Sequence, residues 1–144
     1  MGYKISSTLL GGLLADAKNA PDREVCGLLY GVSEAGGGRI AEAEACANVA
    51  ADPARSFEID PAALFAAHRR ARGGGAPGAG MGVIGHYHSH PSGAAVPSAR
   101  DAAQAMGDGA LWLILTAGGA RLWRTERAGA FDEVELIVGD GKNR

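Results

Sequence analysis

The chain has 144 residues, a formal net charge of −2 and a hydrophobic share of 47%, enough for one domain whose core buries about two-thirds of the unfolded surface. Its sequence pI of about 6.1 leaves no long-range field to attract nucleic acid or anionic lipid, and its one basic cluster, His68-Arg69-Arg70-Ala71-Arg72, reads as the solvated face of a helix, with an acidic partner as the alternative. No apolar run approaches the roughly 18–20 residues of a membrane span, so a soluble protein is expected, with neither nucleic acid nor membrane among its partners.

Ser6 to Asn19 opens on a serine cap, carries Leu9, Leu10, Leu13 and Leu14 as an apolar stripe, and stops short of Pro21. This predicts an amphipathic first helix; Gly11 and Gly12 break its likeness to a signal peptide. Val25 to Val32 predicts a strand with Glu24 at its entrance, and Gly36-Gly37-Gly38 a hairpin turn into a second strand, Arg39 to Cys46. Two cysteines, Cys26 and Cys46, do not make a disulfide framework and fit a reduced cytoplasm. Cys26 shares a strand face with Glu24, so it either lines a cleft or serves as a small core hydrophobe, the plainer role. Phe57-Glu58-Ile59 predicts a short strand, after which Asp60-Pro61 opens a helix over Ala62 to Arg72 as cap and first residue, with His68 on its surface. Gly73 to Gly80, a glycine-rich stretch with Pro77, is either a plain connector or a flap.

Gly82 to His88 predicts a strand, Ser92 to Pro97 a loop and Ala99 to Met106 a helix. Leu111 to Thr116, Arg121 to Thr125 and Glu133 to Val138 predict three strands in an antiparallel meander, parted by Gly118-Gly119 and Ala128-Gly129. Strands and helices alternate early and strands run together late, which gives an α/β (α+β) class, a mixed β-sheet flanked by helices. One domain over 1–139 and a polar tail over 140–144 complete the plan.

His88-Ser89-His90-Pro91, six residues, then Ser98-Ala99-Arg100-Asp101 gathers two imidazoles, a hydroxyl and a carboxylate. Residues two apart on a strand share a face, so the rings of His88 and His90 can converge on one ion. A catalytic zinc takes three protein ligands and leaves a fourth position to water, and His88, His90 and Asp101 fit that count. His86 lies on the same face, so spacing alone does not say which two of the three imidazoles bind. A capping box is the bland reading of Ser98-x-x-Asp101, and it competes for the carboxylate's lone pairs. An exposed strand edge is the bland reading of the histidines, and a solvated surface carboxylate that of Glu24.

Taken together, these residues resemble the signature of the JAMM (MPN-type) metalloprotease family: a distant Glu, His-Ser/Thr-His-Pro, six residues, Ser-x-x-Asp. The upstream part matches as Pro21-x-x-Glu24-x-Cys26-Gly27-Leu28-Leu29-x-Gly31, and a fainter likeness runs through Asn48 and Phe57 to Pro61. The resemblance implies the MPN/JAMM fold, of cytidine-deaminase-like architecture. It implies His88, His90 and Asp101 as ligands of one Zn2+ per chain, Glu24 as general base, and Ser98 as the group that hydrogen-bonds the oxyanion. His86 is left to hydrogen-bond a ligand from outside the coordination sphere, to form cleft wall, or simply to pack.

The implied activity is a zinc-dependent peptidase or isopeptidase. Its implied substrate is a ubiquitin-like or sulfur-carrier protein, cut after a C-terminal Gly-Gly. The family's habit of pairing makes a homodimer an option. Against this stand a non-catalytic MPN-type protein-binding module, which would have no need of every ligand, the base and the serine, and a zinc deaminase. The deaminase class wants a Pro-Cys-x-x-Cys pair, which neither Cys26 nor Cys46 supplies.

Overall fold

Tyr3 and Ile5 are buried while Lys4 between them is exposed, the two-residue period of a half-buried strand. In the computed structural model, which describes residues 2–73, 81–91 and 93–139, this is β1 (Gly2–Ser6), an element absent from the sequence reading. Five residues carry too little pattern to mark a strand locally, and its partners lie far away in the chain. Ser6 ends the strand and caps α1 (Ser7–Lys18) by accepting the Leu9 N–H at 3.0 Å. The expected leucine stripe faces inward, with Leu13 buried and Leu9, Leu10 and Leu14 packed beside it.

β2 (Cys26–Glu34) and β3 (Gly37–Cys46) form the predicted hairpin. Its turn falls at Ala35-Gly36, and Gly36 takes a φ of 82° that favours glycine. α2 (Pro61–Gly73) starts where expected, with the Asp60 carboxylate accepting the Ala62 N–H at 3.0 Å, and packs on β4 (Gly82–Ser89). α3 (Ala99–Gln104) is shorter than expected: Ala105 turns extended, and Met106 leaves the helix for a bridge to Ala128. β5 (Leu111–Thr116), β6 (Gly119–Arg127) and β7 (Ala130–Gly139) make the predicted antiparallel meander.

The sheet is mixed, as expected, but it closes. Its order is β1-β3-β2-β4-β5-β6-β7, with β1 lying parallel to both β7 and β3 and sealing the ring. Flanking by helices is correspondingly modest. Leu29, Tyr87, Leu113, Leu115 and Leu122 fill one core with Leu13 of α1, and Cys26, Phe57, Ala105 and Trp112 form a second cluster.

Two further expectations change. Phe57-Glu58-Ile59 is not a strand; only Ile59 bridges Asn48, and the Glu58 N–H is taken by the Asn48 side chain instead of a ladder partner. The basic cluster on α2 is partly neutralised, because Arg70 grips Glu44 through two bonds of 2.7 and 2.8 Å. The glycine-rich stretch 74–80 and the tail 140–144 lie outside the described residues, as does Ser92 at the start of the expected loop.

Candidate metal centre

β4 runs parallel to β5 with His88 opposite Ile114 and Ser89 opposite Leu115, and the N–H of His90 continues the pairing onto the Leu115 carbonyl at 2.9 Å. The two histidines are thus held by backbone up to the very end of the strand. A parallel pair needs a crossover connection, and this crossover carries Ser98 and Asp101 back over the strand end.

The result is a tight triangle. His88 Nε2 and His90 Nε2 lie 3.0 Å apart, and each is 3.1–3.2 Å from the Asp101 carboxylate. Tetrahedral bonds of about 2.0 Å require ligand atoms roughly 3.3 Å from one another, so the spacing fits a metal without rearrangement. All three residues are buried. His90 Nδ1 lies 2.8 Å from the Ala94 carbonyl, which can only accept, so Nδ1 carries a hydrogen. The neutral ring would offer its Nε2 lone pair to a metal, in place of the Nε2–H that bonds Asp101 in its absence. Phe57 stacks on His88 with centroids 4.2 Å apart and planes 17° apart, fixing the ring against the second cluster. These three residues form a group that could hold a metal ion.

The capping box and the triangle coexist. Asp101 Oδ2 accepts the Ser98 N–H at 2.9 Å while it faces both imidazoles, and Ser98 Oγ accepts the Asp101 N–H at 3.1 Å. The cap therefore aims the carboxylate rather than consuming it. Because Oγ is the acceptor in that bond, the hydroxyl hydrogen of Ser98 is left to donate elsewhere. Burial disfavours the charge on Asp101, but hydrogen bonds from His88 and His90 overcome it and hold the carboxyl well below the usual range. Burial also drives the His88 pKa down. On His90 burial acts in the same sense but loses to the bonds with Asp101 and Ala94, and its pKa rises.

Glu24 lies within electrostatic reach of this triangle. It is 5% exposed, its Oε1 is buried with no partner among the described residues, and desolvation raises its pKa to about 7 against the lowering charges of His90 and Arg100. The next residue is locked to the histidine strand, because Val25 donates to Ser89 Oγ at 2.9 Å and Ser89 donates to the Val25 carbonyl at 3.0 Å.

His86 shares the face of His88, as alternation predicted, but stands outside the triangle. Its ring lies against Trp112 and Phe57 at centroid distances of 4.5 and 5.4 Å, and burial lowers its pKa to about 3. It borders a cavity of about 460 Å³ whose lining includes Leu28, Leu64, His68, Val83 and Gln104. Cys26 is the core hydrophobe expected: it is buried, and desolvation pushes its thiol up to about 12. Both cysteines are free.

Sequence reading missed the role of Ser89, a hydroxyl between the two histidines of the motif, and Phe57, placed in a strand rather than against His88. It also missed Trp123. The indole N–H of Trp123 donates to the Ala95 carbonyl at 3.0 Å, one peptide beyond the carbonyl that orients His90. Trp123→Phe keeps an aromatic ring, though a smaller one, and loses about 0.5–1.5 kcal/mol of hydrogen bond. Its metal affinity, measured by chelator competition, should fall roughly threefold to tenfold, within or below the range of outer-sphere substitutions.

The model of the prokaryotic homologues of the JAB domain matches residues 6–126, and the chain belongs to that family. Among curated proteins it is 33% identical over 122 residues to the desampylase of Haloferax volcanii, covering 85% of this chain and 83% of that protein. A protein of Desulfitobacterium hafniense superposes with a TM-score of 0.81 at 24% identity, over 98% of this chain and 95% of its own. A JAB1/MPN domain protein of Archaeoglobus fulgidus does so with a TM-score of 0.59 at 25% identity, over 95% and 99%. Among the described residues no helix is long and apolar enough to cross a membrane.

Proposed function

We propose that the protein is a zinc-dependent metallopeptidase of JAMM type that hydrolyses an amide bond after the C-terminal Gly-Gly of a ubiquitin-like or sulfur-carrier protein. The observation that carries this reading is the buried triangle of His88, His90 and Asp101 near a buried Glu24 whose Oε1 has no hydrogen-bond partner among the described residues, in a chain similar to a desampylase. His88, His90 and Asp101 would hold the ion, and two nitrogens with one oxygen are a donor set suited to zinc. Bound zinc supplies Lewis acidity, which lowers the pKa of water to about 7.

The rest is done by the chain's own groups. Glu24, with a pKa brought near neutrality by burial, takes the proton of the attacking water and hands it to the departing amine, as the carbon–oxygen bond forms and the carbon–nitrogen bond breaks. Ser98 donates its free hydroxyl hydrogen to the oxyanion, a contribution whose loss costs on the order of 10²–10³ in rate.

The test is intact-mass analysis of small Gly-Gly-tailed carrier proteins, extended or conjugated past the Gly-Gly, after incubation with zinc-loaded wild type and zinc-loaded Glu24→Gln. Cleavage after Gly-Gly by wild type alone is the expected outcome. Cleavage by the variant at the wild-type rate would sink the assignment, and a wild type that takes up no zinc would point to the binding module.

A further inference from the structure

Glu24 stands outside the sheet ladder, since β2 begins only at Cys26. Both polar groups of its peptide are held instead by one loop. Its N–H donates to the Pro53 carbonyl at 2.7 Å, and its carbonyl accepts from Asn48 Nδ2 at 2.9 Å. The carboxylate has no such guide: Oε1 is buried without a partner among the described residues. Where the acid points is therefore inherited from its backbone.

Asn48 is also what closes that loop. Its second Nδ2 hydrogen goes to the Ser56 carbonyl at 3.0 Å, and its Oδ1 accepts the N–H groups of Ala50 at 3.0 Å and Glu58 at 3.1 Å. A primary amide offers two donor hydrogens and two acceptor lone pairs, so all four are spent. A flipped amide would set oxygen against two carbonyls and NH₂ against two N–H groups, which fixes its orientation.

We infer that Asn48 is the positioning residue for the Glu24 carboxylate, an inference that rests on the reading of Glu24 as general base. It holds the Glu24 carbonyl directly. By tying Ala50, Ser56 and Glu58 together it also keeps the Pro53 carbonyl on the Glu24 N–H. With Val25 clasped to Ser89 on the histidine strand, Glu24 is suspended between two anchors, and Asn48 is the one remote from the metal ligands.

The experiment is a double-mutant cycle. Asn48→Asp keeps the acceptor for Ala50 and Glu58 but replaces the donors to Glu24 and Ser56; Asn48→Ser, without added charge, serves if Asn48→Asp does not fold. Each is made in wild type and in Glu24→Gln, and each is measured for kcat on a cleavable carrier protein and for zinc affinity by chelator competition. A shift of about 1 Å in a catalytic group can cost on the order of 10²-fold, so a kcat loss of that order with unchanged zinc affinity is expected in wild type. In Glu24→Gln the same change should cost nothing further. Wild-type kcat in a folded Asn48 variant, an equal loss in the Glu24→Gln background, or a parallel loss of zinc would each overturn the inference. Failure of the underlying reading would appear separately, as full activity in Glu24→Gln alone.

Discussion

Zinc-loaded Glu24→Gln protein is expected to keep its metal and to lose about 10²–10⁴ of kcat/KM, the range that a positioned acid–base group supplies. Glutamine matches the shape of glutamate but cannot accept the proton of water, and Glu24 makes no hydrogen bond through Oε1 that the amide would have to replace. The same burial that tunes the acid also costs stability. Between the ordinary value of 4.5 and the folded value of about 7, the folded state holds a proton that the unfolded state has released. Stability from this group is therefore greatest below 4.5 and declines as pH rises through about 7. The metal-free variant escapes that decline. It should melt above metal-free wild type at about pH 8, by an amount on the order of 2 kcal/mol, and the gap should close toward about pH 5. Thermal melts at the two pH values, alongside the rate measurement, check both halves of an activity–stability trade.

Asp101→Asn should remove the metal site while leaving the helix start in place. The amide oxygen can still accept the Ser98 N–H, so the capping box survives in part. The negative charge between two buried imidazoles is lost, however, and zinc affinity should fall more than about 10²-fold, beyond what outer-sphere changes produce; turnover should disappear with it. Because the folded pKa of Asp101 is depressed below 3.8, the stability it contributes is present above that value and lost as pH falls below it. Metal-free wild type and Asp101→Asn should accordingly differ most near about pH 6, and the gap should begin to narrow only below about pH 4, as the unfolded carboxyl takes up its proton. Zinc content by elemental analysis and a pair of melting curves decide the matter.

The triangle was legible because its two periodicities are local. A two-residue step along β4 sets His88 and His90 on one face, and a three-residue step at the start of α3 sets Ser98 over Asp101. The competition between cap and ligand could not be resolved from spacing, since it depends on where the crossover lands. The hairpin of β2 and β3 and the late meander were legible for the same local reason, as glycine-bearing turns between short strand-forming runs. β1 was not: its partners are Leu136 and Ile137 at one side and Gly38 at the other, and closure is a property of that long-range register. Asn48 and Ser89 were invisible in function because their bonds reach Glu24 and Val25, residues brought near only by folding.

The connection from His90 to Leu111 does two jobs on either side of Asp101. Its first part sets the distance between the imidazoles and the carboxylate, clamped by Ala94, Ala95 and the Ser98 cap. Its second part is tied to the core and the meander, with Ala105 in the second cluster beside Phe57 and Met106 bridging Ala128. Relatives of this chain should therefore hardly vary in length between His90 and Ser98. A scan of single-residue insertions across the connection would meet a sharp loss of metal loading on the near side of Asp101 and a loss of stability beyond α3.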